Sequence, residues 1–169
     1  MKNLENKEIL SDDIMKAIDK IIIHIPKAVF GGSIALNAVG LLNRKISDID
    51  LFFHKNESLS DTEFFEIVDN SITSDTVTNT NGEEIQRTGA KVDGVKVCCF
   101  KVSDEELQHS KYTFVRDGKS FTINLQNVNY AIEAKKAYAK HNQNPKHIED
   151  LNNITKELDS FGIDDDLPF

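Results

Sequence analysis

FGGSIALNAVGLLNRKISDIDLFF, residues 30–53, decides the fold. Ala28-Val29-Phe30 is a short apolar run that stops at Gly31-Gly32. From Ser33 to Leu42 the apolar residues Ile34, Leu36, Val39 and Leu42 fall at helical spacing, and Ile49 to Phe53 predicts a strand. Asp48 and Asp50 stand two apart on that strand, so both carboxylates project from one face and can share a hard divalent cation, Mg²⁺ or Mn²⁺. Gly31-Gly32-Ser33 at a helix start lets the backbone approach a polyphosphate closely and offers it N–H groups, the positive helix end and a hydroxyl. Each half is weak by itself. The joint order of strand, Gly-Gly-Ser, helix, Arg44 and acidic strand is specific.

Outward from this core, Ser11 caps an expected helix over residues 11–25 with Ile14, Ile18, Ile21 and Ile22 at helical spacing before Pro26. Ser60-Asp61-Thr62-Glu63 is a capping box that predicts a helix bearing Phe64, Phe65 and Val68. Ser71 to Gly82, rich in Ser, Thr, Asn and Asp without a period, reads as an irregular connection. Ile85 to Val92, Asp93-Gly94 and Val95 to Val102 form the strongest hairpin signal, because a type I′ turn needs two positive φ angles. Ser103-Asp104-Glu105-Glu106 predicts a short capped helix, and a second hairpin spans Tyr112–Val115 and Ser120–Leu125 across Asp117-Gly118. Two helices follow, one with Val128, Ile132, Lys135 and Tyr138 on one face, the other opened by Asn144-Pro145 and reaching about residue 158.

A chain of 169 residues suits one domain, here 1–158, with a tail at 159–169. The net charge is −8, which disfavours tight binding to long nucleic acid unless basic groups cluster. Four aspartates, Asp159, Asp164, Asp165 and Asp166, lie after residue 158, so the body is only mildly acidic. Cys98 and Cys99 are adjacent and point to opposite faces of a strand, which disfavours a mutual disulfide and fits a reducing compartment. No apolar segment approaches a membrane span or a secretory signal, so the expectation is cytoplasmic.

Phe30 to Phe53 resembles the DNA polymerase beta-like nucleotidyltransferase superfamily, whose pattern is Gly-[Gly]-Ser, a helix and an Asp-x-Asp strand. The resemblance implies an α+β fold, a small mixed β-sheet flanked by helices. It also implies Mg²⁺-dependent transfer of a nucleoside monophosphate from a nucleoside triphosphate to a hydroxyl of RNA, protein or a small molecule. Gly31, Gly32 and Ser33 would hold phosphates, and Asp48 and Asp50 would be the catalytic metal ligands. The chain is most similar to stand-alone bacterial and phage members, including abortive-infection toxins. Those carry an arginine before the acidic strand, as Arg44 stands here, and a lysine-bearing helix, matched by Lys135 or Lys136. A Lys-x-x-x-Asp-Leu helix follows, as in Lys146-His147-Ile148-Glu149-Asp150-Leu151. From the residues themselves, Arg44 and Lys135 read equally as phosphate contacts, as a local ion pair or as a solvated helix face.

The chain departs from that pattern at one position. Active members carry a third carboxylate on a later strand, and Val95-Lys96-Val97-Cys98-Cys99-Phe100 places Cys98 there. A neutral thiol is a poor ligand for a hard cation, which points to an alternative: a catalytically degenerate binding protein, phage-encoded on this reading. The last residues, Asp164-Asp165-Asp166-Leu167-Pro168-Phe169, resemble the acidic tip of bacterial single-stranded-DNA-binding proteins. That resemblance implies partners among replication and repair proteins, with Phe169 as apolar anchor and the aspartates meeting a basic rim.

Overall fold

The structure, a computed structural model, describes residues 2–79, 81–142 and 145–160. The expected cap Asn144 and all of the tail tip from Asp164 to Phe169 lie outside the described residues. The helices are α1 (Asp12–His24), α2 (Gly32–Ala38), α3 (Phe64–Ile67), α4 (Val128–Asn142) and α5 (Pro145–Ser160). The strands are β1 (Val29–Gly31), β2 (Ile49–His54), β3 (Thr73–Thr78), β4 (Glu84–Val92), β5 (Val95–Val102), β6 (His109–Arg116) and β7 (Lys119–Gln126). They form one mixed sheet in the order β3-β4-β5-β2-β1-β7-β6, with β1–β7 and β2–β5 parallel and the remaining neighbours antiparallel. The architecture is thus mixed α/β, with a sheet of seven strands rather than the small one expected.

Local chemistry explains most element ends. The Ser11 hydroxyl accepts from the Ile14 amide at the start of α1, as its position in the sequence predicts. Asp93 and Gly94, and again Asp117 and Gly118, have positive φ and close the β4–β5 and β6–β7 hairpins through two-residue turns. α2 stops at Ala38 instead of continuing to Leu42, because Gly40 at φ 82° lets the Gly40 amide donate to Asn37 and the Leu41 amide to Leu36. The first expected capping box does not form: the Ser60 hydroxyl engages Ser58, and the shorter α3 begins only at Phe64, whose amide donates to Thr62 Oγ1. In the second, Ser103 Oγ accepts from the Glu106 amide, but the Glu106 carboxylate is taken by Asn79, and a turn forms in place of a helix.

The segment expected to be irregular holds β3. As an edge strand paired along its length with β4, it is exposed over most of its length and lends only Val77 to the Phe52–Phe100 cluster, and that is why its sequence carries no apolar alternation. The inner strands carry two faces. Ile49, Leu51, Phe53, Val97 and Cys99 join the main core with Ile14, Ile18 and Ile21 of α1. Val29, Phe52, Cys98, Phe100 and Val102 face the other side, where Tyr138 of α4 covers them and Phe52 stacks on Phe100 at 5.1 Å. The two cysteines are free and, as expected, lie on opposite faces.

Candidate functional site

The ladder register builds the site on the second face. Gly31 of β1 pairs with Asp50 of β2, Asp50 with Cys98 of β5, and Cys98 with Gly89 of β4, so these four residues form one row across the sheet. The next row is Val29, Phe52, Phe100 and Arg87. Asp48 lies one residue ahead of β2 on a bend, not on the strand as expected, and continuing the register sets it level with Lys96.

Asp48, Asp50 and Ser33 line a cleft of about 310 Å³ together with Arg44, Lys135, Lys146, His147, Tyr138, Phe100, Cys98, Lys96 and Arg87. Of the residues expected at the site, Asp48, Asp50, Ser33, Arg44 and Lys135 therefore meet, and Gly32 packs directly on Asp50. At φ 56° Gly32 adopts a backbone that side chains rarely take, and a Cβ there would lie 2.1 Å from Asp50 Oδ2. Gly31 is held as closely, since a Cβ would meet the Phe52 ring at 2.3 Å and Gln126 Oε1 at 2.4 Å. With seven residues, α2 is too short to supply the strong positive end expected of it, and the cleft's positive charge comes from side chains.

Asp150 organises two of those side chains. Arg44 Nε and Nη2 donate to its two carboxylate oxygens at 2.7 and 2.6 Å, and Lys135 Nζ lies 2.9 Å from Oδ2. Asp150 is 1% exposed. Burial alone would raise its carboxyl, but the hydrogen bonds from Arg44 and Lys135 outweigh this and hold it below the ordinary carboxylate value. Lys135 also donates to His147 Nδ1 at 3.2 Å. Burial, and then the Lys135 charge, push His147 down to about 4, so the ring is neutral at physiological pH. Lys136 does not line the cleft and pairs with Glu133 at 3.0 Å. His54 does not line the cleft and binds Asp104 at 2.7 Å.

Asp50 is pushed up to about 7, chiefly by burial and then by the neighbouring Asp48 carboxylate. Two crowded carboxylates whose repulsion a cation would relieve, close to where phosphate oxygens could complete the shell, fit the preference of Mg²⁺ for one or two carboxylates plus substrate phosphates. Among the described residues, no group of three or more His, Cys, Asp or Glu side chains is placed to hold a metal ion. Cys98, beside Asp50 in the row, is pushed up to about 11 by burial and then by Asp50, so it stays a neutral thiol.

The raised Asp50 value has a stability consequence. The folded chain binds this proton more tightly than the unfolded chain, so stability is lost as pH rises from about 4 towards 7. Asp50→Asn removes that penalty, and its urea midpoint at pH 8 is expected to exceed wild type by the equivalent of up to about 4 kcal/mol. The two curves converge near pH 4. Equal midpoints at pH 8 would show that the carboxylate carries no such strain.

Sequence reading missed Asp150 as the anchor, and Arg87, Lys96, Tyr138 and His147 as cleft residues. A signal existed for two of them. Lys146 and Asp150 are four apart on α5 and share a helix face, and Lys96 has the strand parity of Cys98. No family model matches the chain, and neither the curated proteins nor the solved structures yield a match. The fold and site therefore define its class: a mixed α/β protein with a carboxylate-bearing cationic cleft on one sheet face. Among the described residues, no helix is long and apolar enough to cross a membrane.

Proposed function

We propose that the chain is a nucleotidyltransferase-like protein that binds a nucleoside triphosphate with Mg²⁺ or Mn²⁺ and transfers its nucleoside monophosphate to a hydroxyl acceptor. One observation carries the reading. Asp50 packs against Gly32, and Asp48 and Asp50 line one cleft with Ser33, Arg44, Lys135 and Lys146, inside a chain of net charge −8. Such a local concentration of cations around two carboxylates suits a polyphosphate that arrives with its own divalent metal. Asp48 and Asp50 would hold that metal, which supplies charge neutralisation at the transferring phosphoryl group.

In this reaction the acceptor oxygen bonds the α-phosphorus, the bond from that phosphorus to the bridging oxygen breaks, and pyrophosphate leaves. The hydroxyl proton passes to water. Arg44 and Lys135, already fixed by Asp150, offset the charge that grows on the leaving pyrophosphate without having to reorganise. Labelled nucleoside triphosphates incubated with Mg²⁺ and candidate RNA, protein and small-molecule acceptors test the reading. Transfer by wild type and its loss by at least a hundredfold in Asp48→Ala plus Asp50→Ala are expected. Equal transfer by the double variant would end it.

Cys98 favours a second reading. A protonated thiol beside Asp50 supplies neither a metal ligand nor a base, which suits a degenerate domain that binds nucleotide without turnover. On either reading we propose that Asp164 to Phe169 engages proteins that recognise single-stranded-DNA-binding-protein tips, in a bacterial cytoplasm or that of a phage host. Deleting Leu167, Pro168 and Phe169 is expected to reduce capture of such a purified partner at least tenfold. Unchanged capture rules the tail out.

A further inference from the structure

The far end of the cleft is built differently from the end that holds Asp48 and Asp50. Arg87 of β4 lies in the row of Phe52 and Phe100, and its cross-strand partner on the other side is Asp75 of β3. Asp75 accepts from Arg87 Nε and Nη2, so it takes one side of the guanidinium and leaves the Nη1–Nη2 end with two N–H donors. Among the described residues nothing accepts from that end, although Arg87 lines the cleft. Phe100 stands beside Arg87, and Tyr138 of α4, whose ring centroid lies 6.3 Å from that of Phe100, lines the same cleft.

Charge separates the two ends. Arg44 and Lys135 share a single acid, Asp150, and keep an excess of positive charge, whereas Arg87 is matched one to one by Asp75. A neutralised guanidinium still donates hydrogen bonds but attracts a second anion only weakly, so its free end suits a neutral acceptor. No carboxylate at this end is spare to receive an amino group. Asp75 is engaged, Cys98 is held as a neutral thiol, and Asp48 and Asp50 belong to the metal site proposed above. From Asp50 to Arg87 the sheet spans two strand spacings and one two-residue step, roughly 12 Å between Cα atoms, which one ribose and its base bridge from an α-phosphate.

We propose that the cleft selects a nucleobase that presents a ring carbonyl, guanine or uracil, whose oxygen accepts from the free Nη1–Nη2 end of Arg87 while the base lies against Phe100 and Tyr138. The inference rests on the nucleotide-binding reading of the cleft and adds the identity of the base. Adenine and cytosine carry an exocyclic amino group where guanine and uracil carry that oxygen, so their N–H would meet another donor. The wrong base then forfeits a bond and leaves donors unpaired on both sides, the kind of mismatch that discriminates strongly. Guanine adds N7 beside O6 and can engage both N–H groups, as arginine does on the guanine edge in DNA, whereas uracil offers one oxygen.

Equilibrium titration of the full chain in Mg²⁺ with non-hydrolysable analogues of GTP, UTP, ATP and CTP, and with inorganic tripolyphosphate, tests this. Wild type is expected to bind the GTP or UTP analogue at least tenfold more tightly than the ATP and CTP analogues. Arg87→Gln should bring all four analogues within about threefold of one another while leaving tripolyphosphate and ATP-analogue affinity within twofold of wild type. Its urea midpoint should stay near that of wild type, because the lost pair with Asp75 is largely exposed. Arg87→Lys keeps the charge without the planar fork and should lose the preference too. Equal affinity of wild type for the four analogues, or a preference that survives in either variant, overturns the proposal. A parallel loss for all four analogues and tripolyphosphate in Arg87→Gln also overturns it, since Arg87 would then be a phosphate contact. A GTP analogue bound more tightly than the UTP analogue assigns the two-acceptor contact, and parity assigns the single carbonyl. Failure of every analogue to bind wild type is a different result and overturns the cleft reading itself.

Discussion

Gly32→Ala is expected to abolish Mg²⁺-dependent nucleotide binding, with a loss of at least a hundredfold, while the chain still folds. A methyl at this position would lie 2.1 Å from Asp50 Oδ2, so the carboxylate must leave its place or the turn must open. The φ of 56° adds a backbone penalty of about 1 kcal/mol for a residue with a Cβ. Gly32 is only partly buried, and the strained backbone costs roughly 1–3 kcal/mol in stability. Isothermal titration with a nucleotide analogue and Mg²⁺ checks the first part, and urea denaturation the second. Wild-type affinity in the variant would mean that the Asp50 position is irrelevant to the ligand.

Asp150→Ala carries the largest expected stability effect. It leaves Arg44 and the nearly buried Lys135 without their common counter-charge, and removing one partner of a buried ion pair costs about 3–5 kcal/mol. Arg44 is partly exposed and can turn to solvent, so the lower part of that range is expected. Asp150→Asn retains a hydrogen-bond acceptor and should lose less. Both should weaken nucleotide binding more than they alter the melting profile of the β4–β5 hairpin followed by hydrogen exchange, because the triad sits on α4, α5 and the segment before β2. Because the Asp150 carboxyl is held below its ordinary value, its contribution is present at neutral pH and is lost only as pH falls through that depressed value. A urea midpoint unchanged by Asp150→Ala would show that the triad is solvated.

Where the sequence was readable, a local cause lay behind it. The Asp93-Gly94 and Asp117-Gly118 turns, the Ser11 cap and the apolar spacing of α1 are set by residues within a few positions of one another, and each element formed where its signal lay. The row of Gly31, Asp50 and Cys98 was half legible. Strand parity puts Asp50 on a defined face, but which strand becomes its neighbour depends on a parallel pairing across the sheet. β3 was not legible, because an edge strand that lends a core only Val77 has no apolar alternation to show. The capping boxes failed to competing partners: Ser58, only two residues from Ser60, and Asn79, which the folded chain alone brings to Glu106.

The sequence by itself determined the strand–glycine–helix–acidic segment order and the two hairpins, because backbone preference and short-range hydrogen bonds act within a turn or two. The tertiary structure alone decided which charges meet. Arg44 reaches Asp150 across 106 residues, and Lys91 faces Lys96 because of a strand register. Burial then sets the consequences, lifting Asp50 to about 7 and holding Asp150 down, since desolvation and nearby charge exist only once the chain has closed around these groups.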